Sequence, residues 1–406
     1  MRRRDRGRMR WVALGALVLV IVVCAVALRA ASESVPPLSL QRTLAADVAI
    51  RGHAPALEWP REGEAAVEVE GVGSFGTSGA QTPVPIASVA KVMTAYLTLR
   101  EHPLKAGSNG FTMTVTAAQA AEEQQRFADG QSTVAVRAGE QLSERQALEA
   151  LLLPSANNVA AMLALHDAGS VPAFVSRMNG MAKRLRMHST TYTDPSGFES
   201  NTVSTAADQL RLAKAALQMQ AFAAIVRLRA AVLPVAGTVE NYDGLVGEDG
   251  YAGVKTGSDA AAGGCFVFAK HFSVGGHRLI ALGVVLGQRD GPLIEAGLVG
   301  ARELGDSAAA AVRVETALPA GSKVLTAKSV EGHRTAVVTE RALHELGWPG
   351  LKVPVEVRVG PNRTRLAGGE RLATVTLHGA SVSSVGAVAQ GSLDAPSLGW
   401  RLQHLL

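Results

Sequence analysis

Ser88 and Lys91 stand three residues apart in Pro85-Ile86-Ala87-Ser88-Val89-Ala90-Lys91-Val92-Met93-Thr94-Ala95-Tyr96. A serine becomes a nucleophile when a base takes its proton, and a lysine can be that base once it has lost its own. Residues i and i+3 share one helix face, so in helical backbone the two side chains reach hydrogen-bond distance. Pro83 and Pro85 exclude a helix interior, whereas Ala87 to Leu99 is free of Gly and Pro, so a helix is expected to begin near Ser88. The unpaired N–H groups and positive dipole end at a helix start favour an alkoxide on Ser88, negative charge on a substrate and a neutral Lys91. Taken alone the pair is weak, because a first-turn serine and a solvated lysine explain it as well.

Two further motifs follow in the chain: Ser155-Ala156-Asn157 and Lys255-Thr256-Gly257. Each has a suitable local setting. Leu142-Ser143-Glu144-Arg145-Gln146 is a capping box with Ser143 as N-cap, opening a helix that Pro154 stops. Ser155 to Asn157 then fall in a turn before a helix from Asn158 to His166, where polar side chains can project into a cleft. Val254 to Gly257 reads as a strand, followed by strands at Cys265 to Ala269 and Leu279 to Leu286 joined by a tight turn at Val274 to His277.

The remaining elements frame these motifs. Ala65 to Phe75 alternates as a strand and is expected to turn through Gly76-Thr77-Ser78-Gly79 into the Ser88 helix, which Glu101-His102-Pro103 ends. Helical periodicity runs over Val171 to Leu185 and Ala206 to Ala231, with a turn at Thr193-Asp194-Pro195-Ser196-Gly197 between them. Leu293 to Ala311 is a closing helix. From Val312 onward, short strands separated by Gly and Pro (Lys323 to Thr326, Thr335 to Thr339, Val353 to Val359, Arg371 to Leu377) predict a separate small β domain.

Charge and composition narrow the classes. The 406 residues are enough for two domains, each with its own core. The net charge of +5 is concentrated at the N-terminus: without the seven arginines and one acid of residues 1–31, 33 basic residues face 34 acidic ones. The body is neutral, and nothing in it argues for nucleic acid. Trp11 to Leu28 is an uncharged run of eighteen residues behind an arginine cluster, which predicts a membrane anchor with the N-terminus in the cytoplasm and the remainder outside. Ala25 and Ala27 leave cleavage as the alternative. The expected organisation is a tail and anchor over 1–31, a linker over 32–56, a catalytic domain over 57–311 and the β domain over 312–406. Cys24 and Cys265 are the two cysteines, so no intramolecular disulfide is expected, and Cys265 reads as a core residue. The ten histidines show no H-E-x-x-H or other close metal spacing, so no metal or other cofactor is expected.

In order and context, the three motifs match the set found in penicillin-binding proteins and class A β-lactamases. Over about residues 57–300 the chain resembles the low-molecular-mass penicillin-binding proteins that are serine-type D-alanyl-D-alanine carboxypeptidases. The resemblance rests on the Ser88 segment, Leu151-Leu152-Leu153-Pro154-Ser155-Ala156-Asn157-Asn158, Asp194-Pro195-Ser196-Gly197 and Gly253-Val254-Lys255-Thr256-Gly257. Family members often have Gly where Ala156 stands and Asp where Asn158 stands, and many have Thr where Asp259 stands. The resemblance implies an α+β fold of the β-lactamase/transpeptidase type, an antiparallel sheet flanked by helices with a helical subdomain. It also implies a peptidoglycan stem peptide ending in D-Ala-D-Ala as substrate and β-lactams as inhibitors. Ser88 would attack, Lys91 would take its proton, and Ser155 would pass a proton between Lys91 and the leaving amine. Asn157 would bind the substrate amide, Lys255 and Thr256 the terminal carboxylate, and Gly257 would let substrate lie against the strand. The N–H groups of Ser88 and Ser258 would form the oxyanion hole. Rivals of the same fold are a β-lactamase, for which Glu199 is the nearest candidate deacylating acid, and a DD-endopeptidase. A non-catalytic domain that binds cell-wall peptide is the rival of another class.

Overall fold

The structure is a computed structural model and describes residues 4–404. Helix α1 (Arg4–Ser32) contains a stretch, Arg8–Ser32, long and apolar enough to cross a membrane, and its most apolar part is exposed. Beyond it the chain divides into two compact units. One comprises the N-terminal segment through His53 together with Val314 onward; the other is Ala54–Arg313.

The segment expected as a linker is instead part of the first unit's sheet. β1 (Ser39–Arg42) pairs antiparallel with Lys323–Lys328, and β2 (Asp47–Ala49) pairs with Lys352–Val359. Two strands of four and three residues carry too little pattern to be read locally; their partners lie far along the chain.

The second unit is built on β3 (Glu64–Val69) and β4 (Gly73–Ser78), followed after the Ser88 segment by helices α2 (Lys91–Glu101), α3 (Ala117–Ala128), α4 (Glu144–Leu152), α5 (Asn157–Ala168), α6 (Val171–Arg184), α7 (Ala206–Leu217) and α8 (Gln220–Ile225). Strands β5 (Tyr251–Asp259), β6 (Gly263–Val274) and β7 (His277–Gln288) and helix α9 (Leu293–Ala311) complete it. The five strands form an antiparallel sheet in the order β5-β6-β7-β3-β4, which leaves β5 at one edge. Successive side chains of a strand point to opposite faces. Ala66, Val267 and Val284 accordingly join the core with α2 and α7, while Ala65, Val67, Phe266, Phe268 and Val285 join Ala301, Leu304 and Ala308 of α9. Burial on both faces makes a three-layer α+β body. α2 lies inside the helical layer, with every residue from Lys91 to Leu99 buried.

Two sequence expectations shift. Gly76 to Ser78 lie within β4, and the hairpin turns at Glu70 to Val72. The helical pattern over Ala206 to Ala231 breaks between α7 and α8 and gives way to a hairpin of Ala230–Leu233 with Gly237–Glu240. A short apolar run is ambiguous between helix and strand until its partner is present.

The first unit's sheet contains seven strands. β8 (Lys323–Lys328), β9 (Arg334–Thr339), β10 (Lys352–Val359), β11 (Arg371–His378) and β12 (Val382–Ala389) join β1 and β2 in the order β1-β8-β9-β12-β11-β10-β2. The strand Leu343–Gly347, β12 and a short helix, α10 (Leu398–Gln403), are additions to the expected set. The boundary between the units falls at Arg313/Val314.

Candidate active site

Ser88 sits in a 3₁₀ turn, Ala87–Ala90, that runs directly into α2. In that geometry i and i+3 eclipse, which aligns Ser88 with Lys91 more closely than an α-helix would. Ala87 holds a left-handed φ of 43° and Ser155 one of 66°, sparsely populated conformations for residues with a side chain. Both occur next to or within the motifs, at the turns that bring them together.

The Lys91 amine is the hub. Its Nζ lies 2.8 Å from Ser88 Oγ, 2.6 Å from Asn157 Oδ1 and 2.9 Å from the Ser196 carbonyl oxygen. Lys91 is 0% exposed. Burial, aided by the nearby Lys255 and Arg126 charges and opposed by Asp194, holds its amine well below the ordinary lysine value of 10.5. A neutral amine has two N–H donors and one lone pair. Two of its neighbours, an amide oxygen and a backbone carbonyl, can only accept; the third is a hydroxyl that can donate. The arrangement therefore fits a neutral Lys91 that accepts the Ser88 proton.

Three supports hold that hub. Asn157 opens α5; its Nδ2 donates to Gln131 Oε1 at 2.9 Å, and its N–H donates to the Ser132 carbonyl at 2.8 Å. Gln131 Oε1 also accepts from Arg126 at 3.2 Å, and Arg126 is paired with Glu122 on α3. The third support is the Asp194 turn. Asp194 Oδ2 accepts from the Ser196 N–H and hydroxyl and from the Phe198 N–H, and its Oδ1 accepts from Thr202. Thr94 of α2 donates to the Pro195 carbonyl at 2.6 Å, and a Cβ on Gly197 would stand 1.8 Å from the Ala87 carbonyl oxygen. Asp194 thus shapes a turn whose carbonyl reaches Lys91. A cavity of about 120 Å³ beside it is lined by Arg126, Asn157, Asp194, Ser196, Phe198 and Glu199.

The third motif lies on the edge strand β5, which packs against the Ser88 turn. A Cβ on Gly257 would be 2.9 Å from the Val89 nitrogen and 3.0 Å from the Ser88 nitrogen. The missing side chain is therefore required by the protein's own backbone as it packs against the Ser88 turn. Thr256 is buried and Ser258 half-buried. Lys255 is buried, and its Nζ donates to the Thr256 carbonyl at 2.9 Å. Burial pushes its amine down to about 7, against the opposing field of Asp243. Asp243 is itself pushed up to about 6 by burial, opposed by the Leu245 N–H and Lys255. Asp259, whose position differs from the family pattern, accepts from the N–H groups of Ala261 and Ala262 and so closes the β5–β6 turn.

The second motif differs from expectation in detail. Among the described residues no hydrogen bond joins Ser155 to Lys91, and the buried Ser155 hydroxyl has no protein partner. Lys91 is filled by Ser88, Asn157 and Ser196, and both ends of the Asn157 amide are engaged by protein. The sequence reading also lacked Gln131, Arg126 and Asp243. Only the Ser196 carbonyl had a local signal, the Asp-Pro-Ser-Gly turn.

Comparison with known proteins places this fold in one class. The crystal structure of the Streptomyces K15 DD-transpeptidase superposes with a TM-score of 0.54 at 25% identity, covering 64% of this chain and 100% of that one. The family described as D-alanyl-D-alanine carboxypeptidase matches residues 76–290, more than half of the chain and entirely within the Ala54–Arg313 unit. The chain belongs to that family. A D-alanyl-D-alanine endopeptidase of Pseudomonas aeruginosa is 37% identical over 33% of this chain and 40% of its own length. The D-alanyl-D-alanine carboxypeptidase DacB2 of Mycobacterium tuberculosis is 33% identical over 48% of this chain and 65% of its own. The chain thus spans about half the length of these curated relatives.

Proposed function

We propose that the chain is a serine D-Ala-D-Ala carboxypeptidase that removes the terminal D-alanine of peptidoglycan stem peptides. The observation that carries this reading is Ser88 Oγ 2.8 Å from a buried lysine amine whose two other neighbours are acceptors. Ser88 attacks the penultimate D-Ala carbonyl while Lys91 takes its proton. The peptide C–N bond breaks, D-alanine leaves as the amine with a proton, and water then hydrolyses the acyl-serine ester. The unpartnered Ser155 hydroxyl is the group left to hydrogen-bond the departing nitrogen. Asn157 acts chiefly by orienting Lys91. Lys255 as an ammonium ion and the Thr256 hydroxyl bind the terminal carboxylate, and the N–H groups of Ser88 and Ser258 receive the oxyanion.

The Arg8–Ser32 segment supports anchoring in the bacterial plasma membrane with the catalytic unit outside, where such a substrate lies. We read residues 1–31 as tail and anchor and the sheet of the first unit as a spacing or binding module. The test uses the full chain in detergent, because cutting at residue 57 would remove β1 and β2. D-alanine release from a short peptide ending in D-Ala-D-Ala, with stable labelling by a fluorescent penicillin, is expected, and Ser88→Ala abolishes both. Neither signal from a folded wild-type chain would sink the reading. Rapid penicillin turnover would instead make it a β-lactamase. The endopeptidase name of the Pseudomonas relative favours one added substrate, a cross-linked stem-peptide dimer. Cleavage of the dimer without release from the short peptide assigns the endopeptidase alternative.

A further inference from the structure

α2 and α5 both start at the active site, with Lys91 and Asn157, and both end at a second cluster of chemistry-bearing side chains. His102 is the C-cap of α2, and His166 and Asp167 lie in the last turn of α5. Helices of 11 and 12 residues are about 16–18 Å long at ~1.5 Å per residue, so this cluster stands at the opposite ends of both helices from Lys91 and Asn157. The sequence offered no metal spacing because the two histidines come from different helices.

We propose that His102, His166 and Asp167 form a binding site for a divalent transition-metal ion of the zinc type, which ties together the far ends of the two helices that carry Lys91 and Asn157. Their ligand atoms all lie within 4.8 Å of one another, and His102 Nε2 is 3.3 Å from Asp167 Oδ1. Tetrahedral zinc with ligands at about 2.0–2.1 Å holds them roughly 3.3 Å apart, so a rotation of the exposed His166 completes the set. Three protein ligands leave a fourth position for water.

Three observations point to a cation. The Asp167 side chain is 2% exposed; its Oδ2 accepts from the buried Thr98 hydroxyl at 2.7 Å, while its Oδ1 makes no hydrogen bond and stands against His102 Nε2 as an ion pair at 3.3 Å. Such anchoring of one carboxylate oxygen presents the other to a metal. Glu144, whose N–H donates to the Phe111 carbonyl beside the cluster, is also buried with Oε1 unpartnered. Two helix C-termini converge there, and their partial negative charge favours a cation. Phe111 stacks on His166 at 4.1 Å and meets His102 edge-on at 4.8 Å, which keeps both imidazoles beside one ring.

The test uses the full chain in detergent, stripped with a chelator and dialysed against defined free Zn²⁺, with bound zinc and melting temperature measured. One equivalent is expected, with a melting rise on the order of 5 °C at a hundredfold excess over the dissociation constant. Thr98→Val should weaken binding about tenfold, and His102→Ala and His166→Ala by more. His188→Ala, an exposed histidine outside the cluster, should change nothing. In the wild-type chain, zinc should protect His102 and His166 from a histidine-acylating reagent mapped by mass spectrometry. That readout needs no variant to fold. Zinc uptake no greater than in the His102→Ala/His166→Ala chain, or labelling unaffected by zinc, overturns the site.

Discussion

Lys91 and Lys255 are both buried lysines of one active site, yet their surroundings differ in kind. Lys91, on a helix, is held by an amide oxygen, a carbonyl and a hydroxyl, with a second lysine depressing its affinity for a proton. Lys255, on an edge strand, donates to one carbonyl and feels the Asp243 carboxylate. Desolvation lowers both, but the neighbours decide what remains. One amine is kept as a base. The other can still carry charge near neutral pH, which a carboxylate-binding group requires.

The sharpest way to break the contrast is to remove the base. Lys91→Met should slow penicillin acylation about a thousandfold, within the range usual for a general base. An acylation rate within tenfold of wild type would show that Lys91 is not the base. Lys255→Gln should act on binding instead. Loss of a charge-assisted hydrogen bond of about 1.5–3 kcal/mol raises KM for a peptide carboxylate roughly tenfold to hundredfold, with less change in kcat. An unchanged KM would remove Lys255 from carboxylate recognition.

The pH profile tests the two environments together. Activity needs Lys91 neutral and Lys255 protonated, so kcat/KM should fall in acid as Lys91 takes a proton and fall again as pH rises through about 7. Asp243 raises the Lys255 value, so Asp243→Asn should move the alkaline limb to lower pH and cost a few-fold at pH 8 and little at pH 6. A limb that stays in place would separate Asp243 from Lys255. The smallest effect is expected at Gln131→Ala. It frees the Asn157 amide from a bond worth about 1 kcal/mol, so acylation should slow several-fold, with the Lys255-dependent KM unchanged.

Much of the site was legible because its chemistry is local. Ser-x-x-Lys, the capping box at Ser143 and the Asp194 turn each specify backbone geometry within a few residues, and the structure forms all three. Gly257 is legible as a residue of the third motif, and the structure adds the close approach of the Ser88 turn, which spacing along the chain does not show. Ser155 lies at the expected turn and Asn157 opens the helix after it, whereas Gln131 beside Asn157 and the Ser196 carbonyl beside Lys91 approach from separate segments and have no local signature of the contact. The same limit hid β1 and β2, whose pairing is entirely non-local.

The sequence by itself determined the three motifs, their order, the helical and strand segments that carry them, and the apolar N-terminal span. Each depends on residue type and short-range spacing. Tertiary structure alone decided that Lys91 is buried among acceptors, that Asp243 lies close enough to act on Lys255, and that His102 meets His166 and Asp167. A side chain's charge state depends on desolvation and on neighbours brought from elsewhere in the chain, and neither is a property of local spacing.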